Sequence, residues 1–266
     1  MQTLVEHREM LVANLLATMR TFALVRPEAD ITVDNGLLCV YSGMKGAVFN
    51  AALLTEPVHS EEELILKLKY VDAIYRAKGA RWSLWLIEHF LSDQLLARVP
   101  RIVESYGLTS LLRSAGMVAE GFSAHTRNLP ELEILPVYAP ALRFDFCHVM
   151  AVAFRTPLVT FLDVYHTDAY WDGPMRGFVG YSGGRAVGTA CVMNAGDCIG
   201  VYGVATLPDV QRKGIAERMV RFAVAELERE TKLKISVLES SEMAASLYRR
   251  LGYHRITGVS IYNEER

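Results

Sequence analysis

Apolar residues recur at helical spacing from Leu4 to Leu24, and the pattern stops before Arg26-Pro27, so the chain should open with a helix. Strand-like runs follow at Leu37 to Tyr41 and Ala47 to Leu54, with Ser42-Gly43 between them as a turn signal. A second helix is expected from Ser60 to Lys78. A serine followed by three glutamates marks its start, and Gly79 marks its end. A short apolar strand, Trp82 to Ile87, comes next, and then a helical stretch from Asp93 with Gly116 as its stop.

Pro130, Pro136 and Pro140 punctuate the following stretch and mark it as a linker. Beyond it a helical region covers Ala141 to Phe154, and Pro157 interrupts its continuation. Met175 to Tyr181, Ala186 to Met193 and Ile199 to Thr206 then read as three strands. Their separators, Ser182-Gly183-Gly184 and Asn194-Ala195-Gly196-Asp197, predict an antiparallel meander. A long helix is expected from Val210 to Glu230, with Ile215, Met219, Phe222, Ala223 and Leu227 on one face. A strand from Lys234 to Leu238, a short helix to Arg250 and a strand from Tyr253 close the chain.

This order predicts an α/β chain of the α+β type, in which mixed, mostly antiparallel sheets are flanked by helices. The two halves share the order and, in two places, residues. Leu111-Leu112-Arg113-Ser114-Ala115-Gly116 matches Leu247-Tyr248-Arg249-Arg250-Leu251-Gly252, and Thr55-Glu56-Pro57 matches Thr206-Leu207-Pro208. The reading is a degenerate tandem repeat, with domains at 1–136 and 137–266.

Composition narrows the function classes. The 266 residues are 51% hydrophobic and 22% charged, with a formal net charge of -2, which excludes a dedicated nucleic-acid binder. Cys39, Cys147, Cys191 and Cys198 form no C-x-x-C pair and no zinc spacing, and the histidines show no H-E-x-x-H pattern, so no metal site is expected. Charged residues from Glu6 to Glu9 break the first apolar residues. No apolar run reaches the ~18 residues of a membrane span. The expectation is a cytoplasmic protein with no membrane association, as a monomer or homodimer.

The candidate chemistry lies in Val204-Ala205-Thr206-Leu207-Pro208-Asp209-Val210-Gln211-Arg212-Lys213-Gly214-Ile215-Ala216. Here a strand ends, a tight loop with two cations follows, and a long helix begins. A helix N-terminus carries unpaired backbone N–H groups and about half a positive charge, which suits phosphate. Gly214 permits close approach of an anion, and a glycine so near a helix start costs stability unless it has such a use.

These residues resemble the GNAT N-acetyltransferase superfamily, whose phosphate loop reads Q/R-x-x-G-x-G/A. Gln211, Gly214 and Ala216 match it, with Arg212, Lys213 and Ile215 between them. Downstream, Ser241, Ala244, Leu247-Tyr248, Gly252 and Tyr253 match N-x-x-A-x-x-L-Y-x-x-x-G-F, except that Ser241 replaces the usual asparagine. The resemblance covers Met175 to Tyr262. It implies two GNAT-like domains in tandem, with acetyl-CoA as co-substrate of the second. The loop would hold the pyrophosphate, Val204, Ala205 and Thr206 would bond the pantetheine through their main chain, and Ser241 would contribute a polar contact.

The resemblance also implies transfer of an acetyl group to a primary amine on a small molecule or peptide. A bulge near Val204 would aim N–H groups at the thioester oxygen, and Tyr248 would be the general acid. For the base, Tyr202, Asp163 and Glu239 stand nearby in sequence, with a water chain as a fourth route. If the repeat aligns, Glu61, Glu62 and Glu63 replace Arg212, Lys213 and Gly214, and Leu112 replaces Tyr248, so the first copy should hold no cofactor. An acyl-CoA-binding sensor or assembly protein without turnover is the alternative. Gly180-Tyr181-Ser182-Gly183-Gly184 satisfies the G-x-S-x-G pattern of serine hydrolases, but the strand-like residues after Ser182 make it a hairpin turn. Trp82 and Trp85 read as core, whereas Trp171, next to Asp172-Gly173-Pro174, is placed in a loop that could line a substrate pocket.

Overall fold

A computed structural model of the chain describes residues 3–124 and 128–264. The first elements are α1 (Leu4–Thr21), the hairpin β1 (Asp30–Asp34) and β2 (Leu37–Tyr41), β3 (Ala51–Leu54), α2 (Glu61–Ala77) and β4 (Ser83–Ile87). Two short helices, α3 (Asp93–Leu96) and α4 (Val99–Glu104), lead to the long strand β5 (Leu108–Glu120). β6 (Glu133–Pro136), α5 (Pro140–Phe154), α6 (Leu158–Tyr165) and α7 (Asp168–Trp171) follow. The chain then runs through β7 (Met175–Ser182), β8 (Arg185–Ala195), β9 (Cys198–Thr206), α8 (Ile215–Thr231), β10 (Ile235–Ser240), α9 (Glu242–Leu251) and β11 (His254–Glu264).

Two compact units result. The larger comprises Met1–Thr18 and Met117–His254, and the smaller comprises Met19–Gly116 and Arg255–Arg266. Each unit therefore takes one end of the chain from the far half of the sequence, a feature that a single division between residues 136 and 137 does not have.

In the smaller unit the strands follow the order β1-β2-β3-β4-β11, and β3 and β4 are parallel, joined by the crossover helix α2. Ser60 caps α2, its hydroxyl accepting the Glu63 N–H at 3.1 Å. The core packs Leu64, Leu68, Val71 and Tyr75 of α2 against the sheet. Tyr75 stacks on Trp82 at 5.7 Å and donates from its hydroxyl to Val40 O or Ala51 O, each at 3.0 Å.

In the larger unit the order is β10-β9-β8-β7-β6, with β7, β8 and β9 forming the expected antiparallel meander. Ser182 pairs with Arg185 across Gly183 and Gly184, which both have positive φ, so the G-x-S-x-G stretch is a two-residue hairpin turn. Helix α8 buries Ile215, Met219, Val220, Ala223, Val224 and Leu227. From the other end of the sequence, α1 inserts Asn14, which is fully buried. Its Nδ2 donates toward the carbonyl oxygens of Met193, Ala195 and Cys198 at 3.3, 2.8 and 3.3 Å.

Several expected elements are corrected. Gly116 lies inside β5 and is no helix stop; the helical stretch from Asp93 ends instead at the turn of Tyr106-Gly107. Leu111–Gly116 is consequently strand while Leu247–Gly252 ends a helix, so that sequence match is not a structural equivalence. The proline-marked linker contains β6, whose edge position tolerates Pro136, and Pro140 sits in the first turn of α5, where a missing N–H costs nothing. Residues Ala47–Phe49 form a 3₁₀ turn before β3, Pro208–Val210 form another, and α8 starts only at Ile215, after Gly214 at its cap position. Trp171 is not on a loop. It is buried on α7, donates from Nε1 to Tyr165 O at 2.7 Å, and packs with Phe146 and Tyr170.

Candidate active site

The parallel pair β9 and β10 is joined by α8, yet its ladder covers only Ser236↔Ile199 and Val237↔Gly200. Both strands continue past these pairs, to Thr206 and Ser240. The last residues of β9 therefore have no strand partner on the β10 side, and main-chain polar groups that are buried there call for another partner. β9 is also bulged. Thr189 pairs with Ala205 and Cys191 with Tyr202, so Ala190 faces both Gly203 and Val204. Gly203 has φ 56°, and its carbonyl accepts a 2.8 Å hydrogen bond from Thr189 Oγ1.

After β9 the chain turns through Pro208–Val210 into the loop that starts α8. Arg212 has φ 61° and Gly214 has φ 91°, the left-handed region that favours glycine. Gly214 occupies the cap position without any side-chain cap, and its carbonyl accepts the first helical bond, from Arg218 N at 2.9 Å. The N–H groups of the first turn thus face outward with the positive end of the helix dipole. Gln211 closes the loop, its Nε2 donating to Thr206 O at 3.3 Å.

A cleft of about 560 Å³ lies between this loop and α9. The structure brings Val204, Ala205, Thr206, Gln211, Arg212, Gly214, Ile215, Ala216 and Tyr248 together in its wall. Lys213 and Ser241 are not part of that wall: Lys213 is exposed on the loop, and Ser241 is the N-cap residue of α9. Arg250 and Met243 line the cleft as well and escaped the sequence reading, although both belong to the amphipathic α9 whose Tyr248 was singled out. Glu217 is buried in the wall, with its carboxylate paired to Arg221 at 3.1 Å, so it adds no free negative charge. Thr206 Oγ1 is buried without a hydrogen-bond partner. An uncapped helix start, two arginines and an orphaned hydroxyl fit a polyanionic ligand with a polar arm.

Tyr248 is buried and meets Tyr253 edge to face at 5.7 Å. Burial raises its phenol well above the ordinary tyrosine range, and the charge of Glu239 raises it further. Burial also pushes the Glu239 carboxyl up to about 7. Of the three candidate bases, Tyr202 is held protonated by burial, and Asp163 lies on α6 with a partner of its own. All four cysteines are free and buried, and burial pushes their thiols far above the range of a reactive thiolate.

Residues 174–255 match the family model of the acetyltransferase (GNAT) domain. Among solved structures, the chain is similar to a GCN5-related N-acetyltransferase from Kribbella flavida, at 18% identity and a TM-score of 0.69, covering 96% of each chain. A functionally unknown conserved protein from Staphylococcus epidermidis matches at 15% identity and a TM-score of 0.64, over 91% of this chain and 96% of that one. A tandem GNAT protein from the clavulanic acid biosynthesis pathway matches at 10% identity and a TM-score of 0.51, over 86% of this chain and 79% of that one. No curated protein matches the chain. The family match spans β7 to α9, the segment that builds the loop and the cleft.

Proposed function

We propose that the larger unit transfers an acetyl group from acetyl-CoA to a primary amine on a small molecule or peptide. The observation that carries this reading is the splay of β9 from β10 beside an uncapped, glycine-started helix, with one cleft along both. When bound, acetyl-CoA supplies the acetyl group already activated as a thioester. Backbone N–H groups at the start of α8, with Arg212, would hold its phosphates. The open edge of β9 from Val204 to Thr206 would pair with the amide arm, and Thr206 Oγ1 gains the partner it lacks. Ser241 and Lys213 stay outside this scheme except as outer contacts of the loop and of α9.

The bulge at Gly203 and Val204 turns main-chain N–H groups out of the ladder, where they can stabilise negative charge on the thioester oxygen. Tyr248 is the proton donor for the leaving sulfur. Its raised pKa keeps it in the donor form, and the desolvation that raises it also raises a thiol in the same cleft, so the two stay matched. The smaller unit reads as a second GNAT-like copy without a cofactor. Its crossover β3-α2-β4 repeats the order of β9-α8-β10, but Glu61, Glu62 and Glu63 occupy the helix start. Calorimetric titration with acetyl-CoA tests the proposal, with one site per chain expected. Two equivalent sites would remove the degenerate copy, and absence of binding would remove the proposal. Binding without thiol release across a broad amine panel would leave an acyl-CoA sensor in its place.

A further inference from the structure

Two residues of β9 are shaped by the opposite end of the sequence. Gly200 is where the ladder to β10 ends, and Tyr202 is the last residue paired with β8 before the bulge at Gly203 and Val204. Between them the strand leaves one neighbour and shifts its register against the other. The amide of Asn14, from α1, sits on both residues. Its Oδ1 accepts the Tyr202 hydroxyl at 2.8 Å, and it fills the place of a Gly200 side chain, since a Cβ there would collide with Oδ1. On the other side of the bulge, Thr189 Oγ1 holds the Gly203 carbonyl at 2.8 Å. The bulge is thus gripped at one end by α1 and at the other by β8.

The surroundings fix the orientation of this amide. Its Nδ2 faces the carbonyl oxygens of Met193, Ala195 and Cys198, which turns Oδ1 toward the phenol. Burial keeps the phenol neutral and therefore a donor. Gly196 lets α1 settle on the β8–β9 turn, where a Cβ would meet that of Ala13 at 2.7 Å. The helix does not need Asn14 for its anchorage, because Leu11 and Leu15 are fully buried on it. A buried amide adds little net stability there, since its hydrogen bonds replace those it made to water. What a satisfied buried network adds is one fixed arrangement of the groups that it joins.

We infer that Asn14 is a positioning residue for acetyl transfer: through Tyr202 it holds the bulge of β9 so that the N–H groups released at Gly203 and Val204 stay aimed at the thioester oxygen. The inference rests on the acetyl-transfer reading above and adds to it a residue 188 positions from Tyr202, outside the stretch that matches the family model. Asn14 is not in the cleft wall, whereas Val204, two residues beyond Tyr202, is. Past Gly200 no ladder to β10 holds the register of β9, and the amide supplies that restraint. A donor stabilises the developing oxyanion only from the right place, and a displacement of ~1 Å can cost ~100-fold in rate. The contact strengthens as charge grows on the oxygen, so loss of positioning lowers kcat and kcat/KM together and leaves acetyl-CoA affinity in place.

The test uses the whole chain and acetyl-CoA labelled with carbon-13 at the thioester carbonyl, whose stretching frequency falls when N–H groups polarise it. Calorimetry reads affinity, difference infrared spectroscopy reads the carbonyl, and thiol release with the best of a panel of amines reads turnover. Bound to wild type, the carbonyl should absorb at lower frequency than in free acetyl-CoA. Tyr202→Phe keeps the ring and removes the link, and Asn14→Ala removes the amide; each should return the frequency most of the way to the free value. Each should lower kcat by about tenfold with an unchanged pH profile, and affinity should stay within about twofold. The double variant should fall no further than the weaker single one, because both break one link. Leu11→Ala loosens the same helix by packing alone; it should lower the urea midpoint and leave frequency and kcat as in wild type. A wild-type frequency and kcat in folded Tyr202→Phe overturn the inference, as do additive losses in the double variant. A changed pH profile in Tyr202→Phe overturns it too, by making the phenol a proton carrier. So does an equal frequency change in Leu11→Ala, or a bound wild-type carbonyl that absorbs as the free one does. If Asn14→Ala does not fold, Tyr202→Phe decides, and if no amine is acetylated the infrared arm decides. A wild type that binds no acetyl-CoA defeats the parent reading and this inference with it.

Discussion

The two parallel crossovers of this chain, β3-α2-β4 and β9-α8-β10, share their order and differ in how they are finished. In the first, β3 pairs with β4 along Ala51↔Ser83, Ala52↔Leu84 and Leu53↔Trp85, nearly its whole length. Its helix satisfies its own start: Ser60 caps it, Glu63 Oε2 accepts from His59 N at 2.9 Å, and Glu61 pairs with Arg98 at 2.9 Å. In the second, the strands part after two pairs, a glycine with positive φ stands at the cap, and a threonine hydroxyl is left over. The first crossover satisfies its helix start within the chain, whereas the second leaves its own open. An open helix start beside parted strands is what distinguishes the second crossover from the first.

The strongest way to break this contrast is to give the second helix the start of the first. Gly214→Glu imports the residue that aligns at Glu63, strains a φ 91° position and places a carboxylate against the anion. Losing two charge-assisted hydrogen bonds predicts acetyl-CoA binding weaker by about 1000-fold. Calorimetry on a variant with native far- and near-UV dichroism checks this, and unchanged affinity would move the phosphates elsewhere.

Tyr248→Phe separates chemistry from binding at the same cleft. The ring and its contact with Tyr253 remain, so affinity should hold while kcat and kcat/KM fall together by about 100-fold. Turnover within a few-fold of wild type would reduce Tyr248 to a packing residue. A smaller effect is expected of Arg212→Ala, which removes one exposed cation and keeps the backbone donors. Affinity should drop by about tenfold and its salt dependence should weaken. Equal salt slopes in the two proteins would deny Arg212 a phosphate contact.

The mildest change sharpens the comparison from the other side. Ser60→Ala deprives α2 of its cap and should cost about 1 kcal/mol in urea unfolding, with acetyl-CoA affinity untouched. If that variant alters acetyl-CoA binding, the smaller unit takes part in the site after all.

The sequence made some features legible residue by residue. Ser60 and the three glutamates mark the start of α2 because a cap is a contact three residues long. Ser182-Gly183-Gly184 reads as a hairpin because two consecutive positive φ angles are a local demand. The same logic could have found β1, since Asn35-Gly36 is a two-residue hairpin signal with φ 53° and 66°, but Asp30–Asp34 shows no alternation of burial to support it. Gly116 misled because a glycine ends a helix or sits in a strand according to what its neighbours pair with. Glu239 stands in the sequence as one of three candidate bases, and nothing in its neighbours in sequence records that its oxygen is shielded and unpaired.

By itself, then, the sequence determined the strand, loop and helix from Val204 to Ala216 and the amphipathic α9 that brings Tyr248 to them. Tertiary structure decided the rest: the parting of β9 from β10, the latch from Asn14 to Tyr202, and the shielding that pushes Glu239 to about 7. The division has a physical cause. An anion-binding helix start is a property of a dozen consecutive backbone groups, whereas strand splay and desolvation are sums over neighbours that the chain brings in from as far away as α1.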